Sequence, residues 1–109
     1  MIKVSPELVR IFLFNHPFEY KSTHRKICYP LLVRLIRKIE EGNEFEEIKV
    51  EDDIIINGHH RYIALKYLNE PIKIQIWKRS PTTEICPWDK VEVDINDWET
   101  LAQIERYRS

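Results

Sequence analysis

Glycine is nearly absent from this chain. Its 109 residues include two, Gly42 and Gly58, so each marks a place where the backbone needs a freedom that other residues lack. Gly/Ser linkers, low-complexity tracts and internal repeats are also missing, which excludes a string of modules or a solenoid. No apolar run approaches the ~20 residues of a membrane-spanning helix, and the stretch 8–14 is broken by Arg10. A charged-then-apolar signal segment is lacking as well, so the chain reads as cytoplasmic, with no membrane partner. Cys28 and Cys86 stand too far apart for the paired spacing of a zinc site, which leaves two free thiols as the default. Charge of one sign is missing too: 17 basic and 18 acidic residues leave a net charge of −1. Without a global basic field, nucleic-acid binding would be local, and therefore weak or absent.

What is present argues for a folded globule. A hydrophobic fraction of 43%, of which aromatic residues supply 11% of the chain, provides a core for one domain over residues 1–109. The N-terminal stretch is ambiguous, because Ser5-Pro6-Glu7 suits a helix start while Arg10-Ile11-Phe12-Leu13 could equally be a strand; Pro17 ends either. A polar loop is expected over 18–25. After Pro30, Leu31, Leu32, Leu35, Ile36 and Ile39 follow helical spacing until Gly42-Asn43 stops them. Strands are expected over 46–50 and 53–56, joined by an acidic turn at Glu51-Asp52, then a helix over about 60–68. The alternation of 72–77 reads as a half-buried strand, 90–94 as another strand, and Asn96 to Glu99 as the capped start of a last helix. The fold class is α+β: a small, mixed sheet packed with helices.

Chemistry concentrates at one junction. The apolar run Ile54-Ile55-Ile56 meets Asn57-Gly58-His59-His60-Arg61-Tyr62 and then the helical Ile63-Ala64-Leu65. A glycine at a strand-to-helix corner can take positive φ, and the amides after it face outward with the helix dipole behind them, ready for an anion. Arg61 contributes a planar charged fork, and His59 and His60 add donors whose charge changes near neutral pH.

The segment 53–68, closed by Pro71-Ile72-Lys73-Ile74, resembles the "strand, Gly-x-x-Arg, x-x-Ala, helix, strand" unit of the ParB/sulfiredoxin superfamily. The resemblance spans roughly residues 10–78. It implies a phosphate cradle: Gly58 supplies the turn, His60 and Arg61 contact phosphates, and the amides after Gly58 donate hydrogen bonds. Lys21, Ser22, Thr23, His24 and Arg25 correspond to the family's upstream polar segment and would close over the ligand. ATP or CTP with Mg²⁺ is the cofactor implied. Departures from the family matter. His59 stands where sulfiredoxin has its catalytic cysteine, which removes sulfinic-acid reduction. His59 and His60 replace the acid and first arginine of the partition-protein motif, so the motif tied to CTP hydrolysis in that family is not matched here. The roughly thirty residues after Trp77 leave no room for a DNA-reading helix-turn-helix domain, so a stand-alone version of the fold is expected.

The function expected is binding of a nucleotide or other phosphorylated small molecule at Gly58, His59, His60 and Arg61, with Lys21, Ser22, Thr23 and Arg25 assisting. Any catalysis would be phosphoryl or nucleotidyl transfer, with Arg61 stabilising charge and His59 or His60 as acid or base. Three alternatives stand beside it. Arg61 could simply pair with Asp52 or Asp53 in a structural corner. The chain could be a regulatory or antitoxin-like partner of another protein. A ββα-type nuclease would use the consecutive histidines, although adjacent residues at a helix start point apart and no metal-ligand cluster is near in sequence, so no metal site is expected. Trp77, Trp88 and Trp98 serve either as core packing or as a stacking platform for a base.

Overall fold

The computed structural model describes residues 1–78 and 84–99. Its N-terminal ambiguity resolves as helix: α1 spans Pro6–Asn15, with the Ser5 hydroxyl accepting the Leu8 amide at 3.1 Å and proline in the first turn. A serine cap and an N-terminal proline outweigh the short apolar run, and Val9 and Leu13 become its buried face. The helix stops at Asn15 because His16, before Pro17, is extended with ψ 135°.

The expected loop over 18–25 is tied down rather than free. Lys21 bridges to Ile54 and Ser22 to Cys86, and the chain continues into an unanticipated strand, β1 (Lys26–Cys28). Helix α2 (Tyr29–Glu40) buries Leu32, Leu35 and Ile36, the i, i+3, i+4 stripe legible in the sequence, and Gly42 ends it at φ 91°. The hairpin is β2 (Ile48–Glu51) and β3 (Ile54–Asn57), antiparallel, with its turn at Asp52-Asp53. That is one residue later than expected, because Asp52 takes the positive φ of 53°.

Helix α3 (His59–Tyr67) follows, and β4 (Ile74–Ile76) returns parallel to β2, giving a three-stranded sheet in the order β3-β2-β4. The alternation over 72–77 implied half burial, yet Ile74, Gln75 and Ile76 are all exposed, since β4 is a short edge strand. A short 3₁₀ turn (Trp88–Lys90) precedes β5 (Glu92–Asp94), which pairs in parallel with β1 as a separate two-stranded sheet. The fold is α+β. The last helix expected after Asn96 falls mostly on residues 100–109, outside the described ones.

One hydrophobic cluster joins α1, α2, α3, β2, β3 and the 88–93 segment, with Tyr62, Ile63 and Ala64 fully buried on α3. That burial seats α3 against α2 and the sheet, which fixes where its N-terminus points. Trp88 is the buried tryptophan, and its indole N–H donates to the Tyr20 carbonyl at 2.7 Å. Trp77 and Trp98 are half exposed; Lys49 sits over the Trp77 ring at 4.4 Å and Trp98 donates to Asp94. Among the described residues no helix is long and apolar enough to cross a membrane.

Candidate functional site

Gly58 has φ 101° and ψ 29°, the left-handed conformation expected at the corner. A Cβ there would lie 2.8 Å from Arg61 Nη2 and 2.9 Å from Ile48 Cδ1, so space and backbone conformation both require glycine. No side chain caps the start of α3, and no acidic residue occupies its first turn. Tyr62 is the first residue whose amide reaches back along the helix, to the Gly58 carbonyl at 2.8 Å.

The two histidines turn to different neighbours. His59 is 1% exposed, and its Nε2 accepts the Thr23 amide at 2.9 Å, with the Thr23 hydroxyl at 3.1 Å. An Nε2 that accepts places the proton of the neutral ring on Nδ1. That Nδ1 is buried without a hydrogen-bond partner, the sole such side-chain atom among the described residues. His60 Nε2 accepts the Cys28 amide at 2.8 Å, and its ring stands edge-on to Trp98. Burial, with the neighbouring His24 and His60 adding to it, pushes the His59 pKa down to about 3. Burial, then His24, lowers that of His60 to about 4. Both rings are therefore neutral at pH 7, each with its Nε2 lone pair already engaged by a backbone amide.

Arg61 pairs with neither Asp52 nor Asp53. Its guanidinium lies 3.6 Å from Glu46 and 3.3 Å from the Asn57 side-chain oxygen, while Asp53 meets Lys21 at 3.1 Å. The arginine side chain is 17% exposed but its carboxylate partner is 85% exposed, so this ion pair is long and solvent-facing on one side.

A cavity of about 300 Å³ opens at this helix start. Leu31, Leu35 and Phe45 make its apolar wall, and His24, Asn57 and Arg61 its polar one, with Gly58, His59, His60 and Glu46 between. The structure thus brings together Gly58, His59, His60 and Arg61. Of the upstream segment expected to close over the ligand, His24 does reach the site, its ring stacked on His59, while Glu46, distant in sequence and without a local signal, is the addition. Lys21, Ser22 and Arg25 are not among the residues that line it. Lys21 is held by Asp53, Ser22 is fully buried with its hydroxyl donating to the His24 carbonyl, and Arg25 pairs with Glu84. Thr23 reaches the site indirectly, through His59. The bridges of Lys21 to Ile54 and of Ser22 to Cys86 hold these two residues in place elsewhere.

The basic face of α2 is largely neutralised. Arg34 grips Asp97 with two hydrogen bonds of 2.8 Å and also reaches Glu99; Arg37 pairs with Glu40 and Lys38 with Glu41. Among the described residues no three His, Cys, Asp or Glu side chains are grouped to hold a metal ion. Cys28 is buried and Cys86 half-buried, both as free thiols.

Comparison with protein-family models, with curated proteins and with solved structures gives no match for this chain.

Proposed function

We propose that this protein binds the phosphate group of a nucleotide or other phosphorylated small molecule at the N-terminus of α3. The observation that carries the reading is the buried, unpartnered Nδ1 of His59 beside an uncapped helix start. A buried N–H without an acceptor costs about 1–3 kcal/mol, and an anionic oxygen would remove that cost. The amides of His59, His60 and Arg61 supply further donors with the helix dipole behind them. Arg61 supplies the positive charge, exchanging an exposed carboxylate for the ligand. Magnesium prefers an all-oxygen shell, and the side-chain oxygens lining the cavity come from Glu46 and Asn57. A magnesium ion would therefore be held chiefly by the phosphates of the ligand.

The state of the histidines favours binding over turnover. A general base works best with a pKa near the operating pH, whereas His59 and His60 are shifted to about 3 and about 4 and their Nε2 atoms are occupied. His60 acts as a strut for the Cys28 amide, and His59 as a neutral donor.

Melting curves with ATP, CTP and inorganic phosphate, with and without magnesium, test the proposal. The parent should gain ~2.7 kcal/mol at a hundredfold the dissociation constant of the ligand it accepts. Arg61→Ala should stay folded but melt about 1–2 kcal/mol below the parent, since the weak pair with Glu46 is lost together with the packing of a side chain only 17% exposed, and should lose the response. A parent that responds to none of the three compounds overturns the reading.

A further inference from the structure

Among the described residues, strand β4 leaves both a face and an edge open. Ile74 and Ile76 register with Ile48 and Val50 of β2, and parallel partners put their side chains on the same side of the sheet. Ile48 and Val50 are fully buried on that side, yet Ile74 is 40% and Ile76 71% exposed, because the helices that cover β2 do not extend over its neighbour. The Lys73 carbonyl accepts the Ile48 amide at 2.9 Å, and the Trp77 amide donates to the Val50 carbonyl at 2.8 Å. Odd-numbered residues are thus turned toward β2. By strand alternation the N–H and C=O of Ile74 and Ile76 point outward, along the edge of the sheet that no described strand pairs with.

We propose that this surface receives a second copy of the chain, with the two β4 strands pairing antiparallel about a two-fold axis through Gln75. The sequence is self-complementary about that point. Ile74 falls opposite Ile76 of the second copy, and the outward groups of both become hydrogen-bonded pairs. Lys73 falls opposite Trp77 and Lys78 opposite Ile72, so no lysine meets a lysine. An axis normal to the sheet places both sets of helices on one side and joins the open apolar margins of the two cores over a continuous six-stranded sheet. Such an isologous contact closes on itself, so it uses the β4 edge of both copies and leaves neither β4 edge for further growth. The strand is short, and the dimer expected is weak, below the ~1,200 Å² of a standard interface.

Two measurements test the register and the partner. At a non-hydrogen-bonded antiparallel pair the Cα atoms lie about 4.5 Å apart, within the range of roughly 4.4–6.8 Å that a disulfide spans. In a Cys86→Ser background, Gln75→Cys should therefore cross-link into a covalent dimer on mild oxidation, while Ile74→Cys should not. Sedimentation should show a mass that rises with concentration, and Ile76→Lys should weaken association about tenfold or more, ~1.4 kcal/mol. Because Ile76 is 71% exposed, the melting temperature of dilute Ile76→Lys should match that of the dilute parent. A monomer at every concentration with no Gln75→Cys cross-link overturns the proposal. Cross-linking through Ile74→Cys in place of Gln75→Cys overturns it too, and so does a monomer whose β4 edge takes up an added extended peptide.

Discussion

The imidazole of His59 lies flat against that of His24, with ring centroids 3.7 Å apart and planes 11° from parallel. Two stacked histidines repel each other when both are charged, and burial lowers the pKa of each. Nε2 of His59 and of His60 also receives a backbone amide, an arrangement that protonation would break. The neutral rings thus pin β1 and the 22–24 segment to the start of α3.

This arrangement makes the fold sensitive to acid. The folded pKa values of His59 and His60 lie below the ordinary 6.5, so as pH falls the unfolded chain takes up protons first. Stability is complete above pH ~6.5 and declines from there toward the folded values, by up to about 1.4 kcal/mol per pH unit for each histidine. Urea unfolding at pH 7.5 and at pH 5, on parent and His59→Gln, checks this. A parent equally stable at both pH values would contradict it.

His59→Ala and His60→Ala should each destabilise the protein by about 2–4 kcal/mol, since each removes buried volume and strands a backbone amide. The loss should appear in the unfolding midpoint without any ligand. If His60→Ala unfolds like the parent, its bond to the Cys28 amide is not structural.

The two glycines should respond differently to alanine. Gly42 has positive φ but open space around its missing Cβ, so Gly42→Ala should cost about 1 kcal/mol from backbone strain alone. Gly58→Ala adds contacts under 3.0 Å with Arg61 and Ile48 and should cost about 2–3 kcal/mol or more. Chemical denaturation of both variants gives the ranking, and equal losses would show that Arg61 moves aside without penalty.

Glu46 is the carboxylate that competes for Arg61. If an anion binds there, Glu46→Gln should tighten its binding by about twofold to fivefold, the scale of an exposed ion pair. Titration calorimetry with the responding ligand reads it directly; weaker binding would mean that Glu46 helps to hold the ligand.

What the sequence determines by itself is local. The period-3.6 stripe of Leu32, Leu35 and Ile36, the hairpin and the glycine corner all rest on interactions within a few residues, whereas helix or strand at the N-terminus stayed open until the burial of Val9 and Leu13 decided it. Their stereochemistry leaves few choices, so α+β and positive φ at Gly58 were legible. The tertiary structure decided what these elements meet. That Arg61 faces Glu46, that His24 covers His59, and that His60 holds the Cys28 amide depend on contacts across 15 to 35 residues. No spacing encodes those contacts, because they follow from how the sheet and α2 seat α3. The same holds for β4: its alternation promised a buried face, but burial belongs to whatever packs above a strand, and the fold ends its helical layer over β2.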